Sequence, residues 1–309
     1  MSILCVGSVA LDSVETPFAK ADRVLGGSAV FFSAAATLLN PVQVVGVVGD
    51  DYPLDDLDFL ARRGADLTGI ERAPGESFFW SGRYHFDLNT RDTLETRLGV
   101  FADFEPKIPD AFREARYVFL GNIDPKLQLD VLEQVDRPEV VACDTMNYWI
   151  EGARPALLKL LERVDILMVN DEEVRQLAGE PNLLKAARWV QERGPEIVVV
   201  KKGEDGAMLF ADDWLFFAPG FPLEEVFDPT GAGDAFAGGF VGHLARIGSL
   251  DPAELRRAMV YGSALGSFAC EAFSVDRLRD LPVDEIDRRV AEFRRITAFE
   301  THVPVPGHV

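Results

Sequence analysis

The chain has 309 residues, 48% of them hydrophobic, and a formal net charge of −20. That length and apolar share suffice for one large α/β domain or two modest ones. The acidity argues against nucleic acid and anionic membrane surfaces as partners, so any bound phosphate must be received by a local feature such as a helix N-terminus, a metal or a few Arg and Lys side chains. Cys5, Cys143 and Cys270 lie far apart, with no Cys-x-x-Cys and no metal spacing, which points to reduced thiols. Met1 leads directly into Ile3-Leu4-Cys5-Val6 without a basic stretch, and no apolar run is long enough to span a membrane. The expectation is a cytoplasmic protein.

Residues 3–9 form a nearly continuous apolar run, the pattern of a strand buried on both faces. Asp12 follows, and ligands of open α/β sheets gather outside the carboxyl ends of strands; an ordinary loop aspartate fits the position equally well. Gly26-Gly27-Ser28 precedes an alanine-rich segment over 29–39 that stops at Asn40-Pro41. This predicts a helix with Ser28 near its cap, entered through a diglycine that either admits a ligand closely or makes a plain turn. Residues 42–48 predict another buried strand, and Asp50 and Asp51 after it are expected to cap the next helix. Residues 75–100 change character: 78–86 is aromatic-rich and 93–98 alternates, which predicts an inserted antiparallel hairpin.

The α/β rhythm then returns. Strands at 117–122, 140–144 and 166–170 end in Asn122, Asp144 and Asn170, which would line one edge of a parallel sheet. Glu172 and Glu173 read on their own as helix-entry charges. A strand over 197–200 runs into Lys201-Lys202-Gly203-Glu204-Asp205-Gly206, and strands continue at 207–210 and 214–217. The Gly-, Ala- and Ser-rich stretch 261–274 suits a closely packed helix and loop, and the tail after Thr301 is expected to be loose.

The most informative stretch is Asp228-Pro229-Thr230-Gly231-Ala232-Gly233-Asp234. Pro229 and Gly231 mark a turn, and from Ala232 the apolar spacing of Phe236, Phe240, Val241 and Leu244 is helical. A glycine-rich loop opening a helix presents free N–H groups and the positive end of the helix dipole, a combination that binds phosphate. Asp234 in the first turn is either a cap or a general base placed beside the phosphate to take a proton from an attacking hydroxyl. There is no Gly-Lys dipeptide and hence no Walker A loop, and Phe236 occupies the third glycine position of a dinucleotide fingerprint.

Asp-x-Thr-Gly-Ala-Gly-Asp late in a chain of this length resembles the PfkB (ribokinase-like) family of carbohydrate and nucleoside kinases. The resemblance implies a doubly wound, mostly parallel α/β sheet with helices on both faces and a small β lid. Residues 1–309 would be a single domain, with the lid mainly from about 75–100 and a further candidate contribution from 12–25. It implies ATP-dependent transfer of the γ-phosphoryl group to a primary hydroxyl of a sugar. An adenosine-type nucleoside kinase is the alternative: Phe18, Phe31, Phe32, Phe79 and Trp80 either stack on a base or, the reading favoured here, pack in the core and the lid. A non-catalytic sugar- or nucleotide-binding sensor is the third reading, disfavoured by the intact Asp234, Asn170 and Glu173.

By the same resemblance Asp234 is the base, Gly231, Ala232 and Gly233 supply amides to the transferred phosphoryl, and Asp12, Gly26 and Gly27 hold the acceptor. Lys202, Gly203 and Gly206 are matched to a Lys-x-Gly-x-x-Gly turn beside the nucleotide, with Thr230 nearby. Asn170 and Glu173 fit the family's Asn-x-x-Glu motif, which helps hold Mg²⁺, and Asp228 with Thr230 is offered to a potassium site as in some relatives. The sequence departs from ribokinase itself, where Lys and then Asn follow the diglycine; here Ser28 and Val30-Phe31 stand there. The implied partners are ATP and a small sugar or nucleoside, with neither nucleic acid nor membrane. A second copy paired through the lid is compatible with the aromatic hairpin.

Overall fold

Runs of Val, Ile and Leu with no polar alternation can only be strands covered on both faces, and they build the centre of this molecule. The computed structural model describes residues 2–299; the tail expected to be loose lies outside them. The described strands are β1 (Ile3–Val6), β2 (Ala10–Glu15), β3 (Lys20–Gly26), β4 (Val42–Val48), β5 (Asp66–Arg72), β6 (Phe78–Tyr84) and β7 (Arg91–Arg97), followed by β8 (Tyr117–Leu120), β9 (Val140–Asp144), β10 (Ile166–Asn170), β11 (Ile197–Lys201), β12 (Ala207–Ala211) and β13 (Trp214–Ala218). The large sheet has the order β13-β12-β11-β10-β9-β8-β1-β4-β5. It is parallel from β5 to β11. β12 and β13 add antiparallel, because the turns that lead into them are too short for a crossover.

Helices cover both faces. Phe31, Phe32, Phe236, Phe240 and Phe268 fill the core on one side, from the helices Ser28–Ala36, Ala232–Ile247 and Pro252–Ala269. Leu157, Leu160, Val174 and Ala187 belong to the core on the other, from Arg154–Leu161, Asp171–Ala178 and Leu183–Gln191. The chain leaves β1 for β4 on one side and later returns to β8 on the other, so the switch point lies between β1 and β8, where ligands of such sheets collect. Ser28 sits there. Its Oγ accepts from Ser8 N–H (3.1 Å) and Ser8 Oγ accepts from Ser28 N–H (3.0 Å). Ser28 stands next to the cap, as expected: Gly27 is the N-cap, with no side-chain cap bond, and Ser28 pins the helix to the loop after β1.

The remaining strands form a second sheet, β3-β2-β6-β7, in which two hairpins join through parallel β2 and β6. Asp50 and Asp51 hold it in place rather than capping a helix, since the turn of helix at Leu54–Leu57 has no side-chain cap bond. Asp51 Oδ1 accepts from Ser77 N–H and Ser77 Oγ, each at 2.7 Å, and Asp50 Oδ2 accepts from Gly75 N–H at 3.1 Å. Ser77, buried where the chain enters β6, carries an N–H and a hydroxyl that need acceptors, and a helix end in water does not. No helix among the described residues is long and apolar enough to cross a membrane.

The helix Ala232–Ile247 is clamped at backbone distance. A Cβ on Gly238 would stand 2.3 Å from Phe32 O, and one on Gly239 would stand 2.7 Å from Tyr261 O. Gly→Ala inside a helix ordinarily stabilises by about 0.8–1 kcal/mol through propensity. Here we expect the opposite sign: overpacking against a backbone carbonyl costs about 1–3 kcal/mol. Gly238→Ala should lower the urea midpoint at unchanged m-value, and a raised midpoint would refute the tight seating.

Candidate active site

The clamp aims the start of that helix at the carboxyl edge of the sheet. Gly231 is its N-cap with φ 73°, and a Cβ there would lie 2.2 Å from the Phe31 ring. Only glycine satisfies both the left-handed backbone and the ring beneath it. Asp228 braces the loop from inside: it is 1% exposed, with Oδ1 accepting from Thr230 N–H (2.8 Å) and Oδ2 from Ser274 N–H (3.4 Å). Of the three predicted amides, that of Ala232 donates to Pro229 O at 3.2 Å. Among the described residues the N–H groups of Gly231 and Gly233 have no backbone acceptor.

Carboxylates crowd this edge. Asp234 is partly exposed; burial of its carboxyl and the neighbouring Asp144 push it up to about 7, against the pull of Lys201 and Arg91. Asp12, 6% exposed, is pushed up to about 8 by burial and then by Asp228 and Asp234, while a hydrogen bond from Gly27 N–H works the other way. The diglycine makes room for it, because a Cβ on Gly26 would stand 2.1 Å from the Asp12 carboxyl carbon.

Facing the loop, Lys201 Nζ donates to Asp144 Oδ2 at 2.6 Å and lies 3.2 Å from where a Gly233 Cβ would be. Burial works against the Lys201 charge, but Asp144 and Glu173 outweigh it, so the ammonium is held above its usual range. Glu173 is pushed up to about 7 by burial and by Asp144, with Lys201 opposing. The second sheet lies over these groups. Thr230 Oγ1 donates to Tyr84 OH at 3.2 Å, and the hairpin tip between β6 and β7 places Asn89 Oδ1 2.7 Å from where a Gly203 Cβ would be.

The pattern of pfkB family carbohydrate kinases matches residues 3–279. The chain belongs to that family. It is 29% identical to the cytidine kinase of Thermococcus kodakarensis over 252 residues, covering 80% of this chain and 89% of the relative. It is also 29% identical to the nucleoside kinase of Methanothermobacter thermautotrophicus over 287 residues, covering 87% and 89%. The structure of a putative ribokinase II from E. coli in complex with ATP and Mg²⁺ superposes with a TM-score of 0.76 at 21% identity, covering 94% of this chain and 99% of that one. As a PfkB-family kinase the protein is a phosphotransferase that acts on hydroxyl groups of sugars or nucleosides, with ATP and Mg²⁺.

The structure brings Asp12, Gly26, Gly27, Asp228, Thr230, Gly231, Gly233 and Asp234 together at this edge of the sheet. Asn170 and Glu173 form a capping box, with Asn170 Oδ1 accepting from Glu173 N–H (2.7 Å) and Glu173 Oε2 from Asn170 N–H (2.8 Å). No cluster of three or more His, Cys, Asp or Glu among the described residues is arranged to cage a metal. Oxygen donors at a strand end, each already holding one N–H, fit Mg²⁺ bound through phosphates and retained water.

Lys202 does not enter the site: its Nζ lies 3.3 Å from Asp205 and its N–H donates to Gly206 O. Alternation at the end of β11 turns Lys201 inward instead, and the spacing Lys-x-Gly counted back from Gly203 would have identified it. Lys201, Tyr84 and Arg91 were not singled out in the sequence, and Asp144 was noted only as a strand end. Of the aromatic candidates, Phe31 and Phe32 are core, and Phe18 is 66% exposed beside Phe86 at the far tip. A surface cleft of about 440 Å³ near Val47, Glu71 and Asp103 lies away from the carboxylates.

The raised Asp12 carboxyl sets a pH dependence. A folded pKa of about 8 against an ordinary 3.8 means the folded state binds that proton more tightly. Its stabilising contribution is therefore complete below pH 3.8 and is lost as pH rises towards 8. Asp12→Asn carries no such charge. In ligand-free protein its melting temperature relative to wild type should rise by at least about 3 °C between pH 5 and pH 8. A pH-independent difference in a thermal-shift series would contradict the burial of that charge.

Proposed function

We propose that the protein transfers the γ-phosphoryl group of ATP to a primary hydroxyl of a sugar, free or as part of a nucleoside, with Asp234 as the general base. One observation carries this: a carboxylate with a pKa near 7 sits in the first turn of a helix whose Gly231 and Gly233 amides are free, with Lys201 on the other side. A base is most effective when its pKa lies near the working pH. Relatives named as cytidine and nucleoside kinases support an acceptor that contains ribose.

Asp12, beside the Gly27 N–H, accepts hydrogen bonds from secondary hydroxyls of the acceptor and turns its primary hydroxyl towards Asp234. Asp234 takes the proton as that oxygen attacks phosphorus. The free amides of Gly231 and Gly233 and the Lys201 ammonium receive the charge on the transferred group. Asn170 and Glu173 would hold Mg²⁺ by way of its waters, and the ion would supply charge neutralisation to the nucleotide phosphates. The second sheet is the lid: with Tyr84 on the loop and Asn89 at the Gly203 turn, it excludes water, which would otherwise compete as acceptor.

Asp234→Asn should lower kcat at least about 10²-fold while nucleotide affinity, read by calorimetry, stays near wild type; a variant with near wild-type kcat would remove Asp234 from the role of base. Glu173→Gln keeps one cap acceptor but loses an anionic oxygen, so its half-saturating Mg²⁺ concentration should rise. The same titration in potassium against sodium chloride reads the proposed monovalent-cation role of Asp228 and Thr230. Curves identical to wild type would return Glu173 to capping alone, and identical rates in the two salts would dismiss the potassium site.

A further inference from the structure

We infer that Asp144 is a positioning residue for phosphoryl transfer: paired with Lys201 across the end of β10, it holds that ammonium beside Gly233, where the transferred group is received. The inference rests on the kinase reading above and deepens it. β9 and β11 are not neighbours, because β10 lies between them. Met168 of β10 pairs with Asp144 on one side, and Asn170 pairs with Lys201 on the other. The two backbones are therefore two strand spacings apart, ~9.6 Å or more. Lys201 Nζ nevertheless reaches Asp144 Oδ2 at 2.6 Å. The pair arches over the strand end that carries Asn170.

Both partners are held in place. Gln128, fully buried on the helix Pro125–Leu132, donates from Nε2 to Gly121 O at 2.8 Å and to Asp144 O at 3.1 Å. The ladder between β8 and β9 ends at Leu120 and Cys143, so this amide ties the two strands one residue beyond it. Asp144 is buried, and its Oδ1 accepts from Thr145 N–H at 2.8 Å. The carboxylate is thus fixed at one oxygen and offers the other to Lys201. A lysine is a point charge on a flexible four-carbon stem, and a fixed partner at its tip turns it into a placed charge. Gly233 sets its flank: Nζ stands 3.2 Å, and Cδ and Cε 3.7 Å, from where a Cβ would be. The pair uses one of the three ammonium donors, leaving the others for phosphate oxygens. After burial, Asp144 is the next upward influence on the pKa of both Glu173 and Asp234, and Lys201 opposes it. The two charges therefore act on the base as well as on the phosphoryl position.

The test uses the full-length enzyme with MgATP and, as acceptors, cytidine, inosine, D-ribose and D-fructose. It compares wild type, Asp144→Asn, Lys201→Met and the double variant. On the alkaline plateau Asp144→Asn should lower kcat at least about 10-fold, with the acceptor KM within about twofold of wild type. Lys201→Met should cost at least as much. With Lys201 gone, Asp144 has nothing to position, so the double variant should be no slower than Lys201→Met. The acid limb of kcat/KM is a readout that a merely structural role would not move. The groups set around Asp234 are Asp144, Lys201, Arg91, Asp12 and the Cys5 thiol. Removing the Asp144 charge should shift that limb to lower pH, and removing the Lys201 charge should shift it to higher pH. Asp144→Asn leaves an ammonium buried without its partner and can fail to fold. The double variant removes both charges, so its comparison with Lys201→Met decides in that case. A folded Asp144→Asn with kcat within about twofold of wild type would overturn the inference and leave the kinase reading standing. A double variant at least about 10-fold slower than Lys201→Met would do the same, since Asp144 would then act without Lys201. Wild type that turns over none of these acceptors would overturn the kinase reading, and this inference with it.

Discussion

The geometry of the site depends on one contact made without side chains. The helix Ala232–Ile247 meets the Ser28–Ala36 helix at Gly238 and the Pro252–Ala269 helix at Gly239, backbone against backbone. Close-packed interiors deform little, so a helix wedged between two others has a fixed axis and a fixed end. Its first turn then lands on the Phe31 ring, Gly231 takes the left-handed conformation, and the amides of Gly231 and Gly233 open towards the sheet edge. The glycines in the middle of the helix thereby determine where the chemistry at its end takes place.

Electrostatics follow from that placement. Asp12, Glu173, Asp228 and Asp234 come from β2, the first turn of the helix after β10 and the loop and first turn at 228–234, and each is pushed upward in pKa with burial as the leading cause; Asp144 joins them from the end of β9. The cations set against them are Lys201, in a buried pair with Asp144, and the exposed Arg91 from the lid strand β7. A buried pair of this kind is weak evidence for stability, because desolvation offsets most of the attraction. Its value lies in fixing a positive charge beside the free amides at the start of the helix. The arginine comes from β7 of the second sheet, so part of the balance that keeps Asp234 ionisable is supplied by a strand outside the large sheet.

Much of this was legible in the sequence. Buried parallel strands announce themselves as unbroken apolar runs, and the loop at Asp228–Asp234 does so because turn, helix start and carboxylate are local features. What escaped depends on distant partners. Nothing local separates Lys201 from Lys202; strand register decides which one turns inward, and its partner Asp144 lies 57 positions away. Asp51 read as a cap because caps are local, whereas its actual donor, Ser77, arrives 26 residues later. Phe31 and Phe32 read either as base-stacking aromatics or as core, and a helix packed on all sides buries them in the core.

The contact between Gly26 and Asp12 bears on how this sequence can drift. Any side chain at 26 would occupy the space of the Asp12 carboxyl, at 2.1 Å. Position 26 therefore cannot gain a side chain while the Asp12 carboxylate stays where it is. A larger residue at 26 is tolerated only in a lineage that has already shortened residue 12, and such a lineage has surrendered the buried carboxylate. The two positions form one heritable unit, and their joint loss would mark a descendant that had kept the fold without that charge.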